Sequence, residues 1–280
     1  LNNFFRRTVT GAGIVIFILG GFWLHPVSFF VTGLILLAGG QYEYYRMVKN
    51  NGSYPQVVAG MLTGIACYIL ATLVSLEIIP SKYLLLLILF FVVSTIIELY
   101  RKQEKPFDSL AHTWFSIIYV AVPFSLMPFS AFGHTGLSSI LPHAEIIFSP
   151  GIIIGFFALV WANDTGAYLS GVTIGRHKLM ERISPKKTWE GFFGGVVLAI
   201  VAAWLLSGLL GVVGRTQWVI IAIIVSFAGT YGDLAESMLK RSVGVKDSGS
   251  IMPGHGGFLD RFDSTIFSFP LVYLFIALFG

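Results

Sequence analysis

Residues 150–170 read PGIIIGFFALVWANDTGAYLS. About 20 apolar residues of helix cross the hydrocarbon core of a bilayer. This run supplies that length with one polar interruption, Asn163-Asp164-Thr165. Lipid offers no partner to a bare peptide group, so a single span of this kind has to be helical. An ionisable side chain at such depth turns to a cavity or a partner rather than to lipid. Asp164 is therefore a candidate functional residue. Tyr168, four residues on, shares its helix face. The plainer reading of Asp164 is a structural carboxylate met by an arginine of a neighbouring span.

The same test applied outward finds further apolar runs at about 8–24, 27–45, 56–76, 83–100, 110–130, 191–213, 216–240 and 264–280. They predict an all-α, polytopic integral membrane protein of about nine transmembrane helices. Composition agrees. Of 280 residues, 55% are hydrophobic and 11% charged, with a mean hydropathy of +0.81, against about 25% charged in soluble domains. The 31 glycines suit close helix–helix contact in lipid. The single Cys67 excludes an internal disulfide. Arg6-Arg7 ahead of an apolar run could open a signal peptide. No small-residue cleavage site follows, so the run is read as a retained first span.

Basic residues set the orientation. With the N-terminus in the cytoplasm, every Lys and Arg of the 18 except Lys82 and Arg215 falls on an inside segment. The bias of basic residues toward cytoplasmic loops then gives N-in, C-out. It also accounts for the net charge of +4 without nucleic acid. The chain reads as a single membrane domain, 1–280. Its first 150 residues are mainly scaffold, with charges that look like interface anchors. Residues 151–280 carry the polar clusters and are where an active site is expected. The outside loop of about 131–149 holds His134 and His143, whose spacing fits no metal motif.

Three clusters follow Asp164. Ser184-Pro185-Lys186-Lys187-Thr188 stands just before a span, where backbone N–H groups and ammonium groups can meet an anion at a helix N-terminus. An interface anchor is the plainer alternative. Asp233, Glu236, Ser237 and Lys240 are spaced i, i+3, i+4, i+7 and form one polar stripe. A Glu236–Lys240 pair, worth about 0.2–0.5 kcal/mol, explains two of these residues and leaves Asp233 unexplained. The third cluster runs from Ser237 to Asp263, SMLKRSVGVKDSGSIMPGHGGFLDRFD. Its Lys240, Arg241, Lys246 and Arg261 suit phosphate oxygens. Gly254, Gly256 and Gly257 let backbone N–H groups approach an anion. Carboxylates hold Mg²⁺ through oxygen, and Asp260 and Asp263 can point at one ion with Asp233. Asp263 could instead cap a helix. His255 reads equally as an acid–base group or a turn residue. There is no Gly-Lys-Ser/Thr phosphate loop, and the Asp-Gly-x-x-Ala-Arg pattern of CDP-alcohol phosphotransferases is missing.

The third cluster resembles the signature of the phosphatidate cytidylyltransferases, also called CDP-diacylglycerol synthases. The matching positions are Ser237, Leu239, Lys240, Arg241, Lys246, Asp247, Pro253, His255, Gly256, Gly257, Asp260, Arg261 and Asp263. Met252 departs mildly, standing where the family usually has Leu, Ile or Phe. The 163–168 stretch is similar to part of that family's active-site cavity, and Ser-Pro-Lys-Lys-Thr-x-Glu-Gly at 184–191 is similar to its second motif. The resemblance implies CMP transfer from CTP to phosphatidate, releasing pyrophosphate, with Mg²⁺ and a second cation left open. Asp233, Asp260, Asp263, Lys240 and His255 are then the expected catalytic set, with the metal on Asp233, Asp260 and Asp263. Substrate would be bound by Asn163, Asp164, Lys186, Lys187, Arg241, Lys246, Asp247, Gly256, Gly257 and Arg261. The expected partners are CTP, phosphatidate and membrane lipid, with no nucleic acid and a homodimer left open. The expected place is a bacterial inner membrane, with the site facing the cytoplasm. Two other classes stay open. An ion-coupled transporter would use Asp164 and Asp233 as an ion path. A lipid kinase would transfer the γ-phosphate.

Overall fold

The computed structural model describes residues 3–134, 146–249 and 256–279, with side chains from Thr10 onward except at 133, 134 and 146. It is an all-α polytopic membrane protein. Its helices are α1 (Asn3–Trp23), α2 (Pro26–Asn50), α3 (Val57–Ser75), α4 (Leu87–Arg101), α5 (Pro106–Ser116), α6 (Val122–Ala131), α7 (Gly151–Thr173), α8 (Trp189–Leu210), α9 (Arg215–Ser242) and α10 (Leu259–Phe279). A 3₁₀ turn over Ser81–Leu86 leads into α4. A π turn over Ile117–Ala121 joins α5 to α6. Pro123 follows that turn and brings no N–H to the helical ladder, so the turn before it widens.

Each apolar run of the sequence corresponds to one helix or one continuous helical stretch and overruns it by at most three residues, the most where α8 stops at Leu210 rather than 213. Among the described residues, seven stretches are long and apolar enough to cross a membrane: Val57–Ser75, Ser81–Arg101, Pro106–Ala131, α7, α8, α9 and α10. The described apolar part of α1, Thr10–Trp23, is shorter. The end of α2 carries Gln41, Glu43, Arg46 and Lys49, which lower its hydropathy. Two short antiparallel ribbons lie outside the spans: β1 (Phe132–His134) with β2 (Ile146–Phe148), and β3 (Lys178–Met180) with β4 (Ser184–Thr188). The first falls in what reads from sequence as a plain loop. Gly136 and His143 of that loop lie outside the described residues.

The chain groups into two compact units. The first holds residues 1–148 and 243–259. Its core is built on α2, where Phe29, Tyr44 and Tyr45 are fully buried. A polar network runs through it. Gln56 donates to Glu98 at 2.7 Å, Arg101 closes on the same carboxylate at 2.8 Å, and the Tyr45 hydroxyl donates to the Thr113 carbonyl at 3.1 Å. The second unit holds residues 149–242 and 260–280. There α7 and α8 pack backbone to backbone: a methyl group on Gly166 would stand 2.6 Å from the Gly194 carbonyl oxygen. Phe156 of α7 meets Phe269 of α10 edge to face, with ring centres 5.0 Å apart. Trp218 of α9 fills the space over Gly155.

Candidate active site

One cavity of about 430 Å³ lies wholly in the second unit, walled by α7, β4, α8, α9 and α10. Asp164 and Tyr168 both line it, as residues one helical turn apart on one face. Asn163 lines it too, but it is 5% exposed and turned toward Gly195 of α8, where a side chain would collide with its Oδ1.

The two lysines enter from the β3–β4 hairpin. Thr188 ends β4 and caps α8, its hydroxyl accepting from Gly191 N–H at 3.1 Å. Lys186 and Lys187 therefore stand immediately before a helix N-terminus, where backbone and side chain both favour an anion. The Lys187 ammonium lies 2.6 Å from Asp233 Oδ2 and donates to the Thr230 carbonyl at 3.3 Å. Glu190, in the first turn of α8, accepts from Arg176 N–H at 3.1 Å, from His177 N–H at 3.2 Å and from His177 Nδ1 at 2.6 Å. It thereby ties the hairpin's entry to the helix.

The polar stripe of α9 supplies the carboxylates. Asp233 accepts from Ser237 Oγ at 3.3 Å. Oxygens of Asp233, Glu236 and Asp263 lie within 4.8 Å of one another. Glu236 is 1% exposed, and its Oε1 has no hydrogen-bond partner among the described residues. Three carboxylates this close repel one another unless positive charge is placed between them. Hard, oxygen-only donors with a buried oxygen to spare fit a Mg²⁺ ion. Asp260 is placed differently. The Lys240 ammonium sits 2.5 Å from Asp260 and 2.6 Å from Glu236, joining the two carboxylates. Asp263 stands four residues after the start of α10, inside the helix rather than at its cap, and accepts from Ser264 N–H at 2.6 Å.

The second unit thus gathers Asn163, Asp164, Lys186, Lys187, Asp233, Lys240, Asp260 and Asp263. Arg241 and Arg261 belong to the same unit and are exposed, at the end of α9 and in the first turn of α10. Lys246, Asp247, Gly256 and Gly257 belong to the first unit, with Lys246 and Asp247 exposed. His255 lies outside the described residues. Sequence reasoning missed Glu236 as a member of the acidic triad, and Thr188, Thr230 and Ser264 as parts of the cavity wall. Only the i, i+3 spacing of Asp233 and Glu236 could have pointed to the triad.

Fold and cavity together define a polytopic membrane protein with a lysine-flanked cluster of carboxylates suited to phosphate chemistry. The chain belongs to the cytidylyltransferase family, whose model matches residues 5–279. It is 46% identical over 133 residues to a phosphatidate cytidylyltransferase of Bacillus subtilis, covering 46% of this chain and 49% of the relative. It is 41% identical over 148 residues to one of Brucella suis, covering 53% of this chain and 55% of the relative. To one of Staphylococcus epidermidis it is 46% identical over 126 residues, covering 44% and 48%. The chain spans about half the length of the curated relatives it matches.

Proposed function

We propose that the protein transfers CMP from CTP to phosphatidate, with Mg²⁺, at the cytoplasmic face of a bacterial inner membrane. The meeting of Asp233, Glu236 and Asp263, with Asp233 lining the cavity and paired there with Lys187, carries this reading. The names of the relatives agree with it, and so does the basic-residue bias, by which the hairpin is expected on the cytoplasmic side. An oxygen of the phosphatidate phosphate attacks the α-phosphorus of CTP and forms a new P–O bond. The bond from that phosphorus to the oxygen bridging to the β-phosphorus breaks, and pyrophosphate leaves with the electron pair. A lipid phosphate is already anionic near neutral pH, so the step needs no strong base.

Transfers of this type are served chiefly by alignment and charge neutralisation. Lys186 and Lys187, with the N-terminus of α8, would hold phosphate oxygens. Lys240 keeps Asp260 and Glu236 in place. Asp233, Glu236 and Asp263 would hold Mg²⁺, which when bound neutralises phosphate charge as it develops.

The test follows the label. Purified protein given phosphatidate, Mg²⁺ and CTP labelled at the α-phosphorus should yield a labelled, chloroform-soluble product. A γ-label should stay in water-soluble pyrophosphate. Lipid labelled from the γ-position would favour the kinase, and no labelled lipid from folded protein would favour the transporter.

A further inference from the structure

Glu43 lies in the N-terminal part that reads from sequence as scaffold. It is 0% exposed, on α2 of the first unit. Its Oε2 accepts from Ser248 Oγ at 2.8 Å and from Leu259 N–H at 2.7 Å. Ser248 directly follows Lys246 and Asp247, and Leu259 opens α10 just after Gly256 and Gly257. Gly249 and Gly257 press against the same carboxylate so closely that a side chain on either would run into it. Gly256 beside them takes a left-handed φ of +81°, which favours glycine. One turn earlier on α2, Gly39 leaves room for the Phe258 ring, and Gly40 faces Leu259.

Burying a carboxylate is costly, and its best-attested use is to fix register rather than to add stability. Leu259 N–H is the first donor of α10, one of the N–H groups that a helix cannot satisfy for itself. A carboxylate at that end also suits the helix dipole. By capping it, Glu43 sets the residue at which α10 begins. Asp260 and Asp263 follow one and four positions later on that helix.

The structure assigns Glu43 the role of positioning residue for the signature loop and for the first turn of α10. It rests on the cytidylyl-transfer reading. Full-length protein would be assayed with CTP and phosphatidate in mixed micelles, with kcat and KM referred to the folded fraction. Glu43→Ala should lower kcat about 100-fold, the scale of loss that follows a small misplacement of reacting groups. KM for phosphatidate should be unchanged. Glu43→Gln keeps the shape and one acceptor oxygen, and should stay within about tenfold of wild type. Ser248→Ala should add nothing in the Glu43→Ala background, because the two share one contact. Trypsin should cut at Lys246 faster in Glu43→Ala than in wild type, a readout that needs no turnover. Should Glu43→Ala fail to fold, the Glu43→Gln/Ser248→Ala pair carries the same comparison. Wild-type kcat and wild-type trypsin cutting in folded Glu43→Ala would overturn the assignment. So would a loss that merely tracks the unfolded fraction. A wild-type protein that transfers nothing from CTP would sink the proposed reaction instead, while the trypsin comparison would still decide whether Glu43 holds the loop.

Discussion

Asp263 and Asp260 stand three residues apart in the first turns of α10 and have different surroundings. Asp263 joins Asp233 and Glu236, whereas Asp260 faces Lys240. Substitution by Asn keeps size and removes charge, so the two should respond differently. Asp263→Asn should abolish turnover at any Mg²⁺ concentration, a fall of at least about a thousandfold, as when a metal's charge stabilisation is lost. Asp260→Asn should leave a weaker enzyme whose Mg²⁺ requirement is little changed, because its charge is already met by lysine. Mg²⁺ titrations of the two variants decide this, and equal right-shifts of both would place Asp260 among the ligands. The candidacy of Asp233 and Asp263 was legible in sequence because carboxylates in apolar or helical settings demand an explanation. Glu236 was hidden by its own neighbour: an i, i+4 pair with Lys240 accounts for it locally. Only the packing of α10 against α9 brings Asp263 near and turns the pair into a triad.

At the scale of elements, the apolar runs were legible because the bilayer fixes both length and polarity of a span. The β3–β4 hairpin was not. Five residues of β4, one of them Pro185, carry no alternating pattern, and what holds the hairpin's entry is Glu190 from a different element. The glycines of α7 and α8 were readable as a composition, but which of them touch is a matter of rotation about each helix. Gly166 meets the Gly194 backbone, whereas a methyl group on Gly208, at the far part of α8, would have nothing within 4 Å. Gly166→Ala must therefore push the two backbones apart. It should lower the thermal midpoint in detergent and open the cavity wall that carries Asp164, with a loss of activity of about tenfold or more. Gly208→Ala should be neutral or stabilising by up to about 1 kcal/mol, from helix propensity alone. Thermal unfolding of the two variants side by side is the check. Equal midpoints would mean that α7 and α8 do not need this close approach.

Over the whole molecule, the distribution of Lys and Arg bears on which way the chain crosses the membrane, a property that internal packing leaves open. Lys186, Lys187 and Lys246 fall on segments expected inside, and Lys82, at the 3₁₀ turn before α4, on one expected outside. A CTP-using enzyme needs the first group on the cytoplasmic side, where nucleotide is, so the proposed reaction in the cell requires this topology. The single Cys67 is buried, and Cys67→Ala supplies a background free of thiols. On it, Lys82→Cys and Lys246→Cys are both at exposed positions, so reagent access depends on the side of the membrane rather than on packing. In intact cells, a membrane-impermeant thiol reagent should label residue 82 and spare residue 246. After permeabilisation both should react. Labelling of 246 in intact cells would put the loop carrying Lys246 on the side without nucleotide and overturn the cytoplasmic assignment. It would do so even if the purified protein used CTP in detergent, because in a living cell the substrate and the site would then be separated by the bilayer.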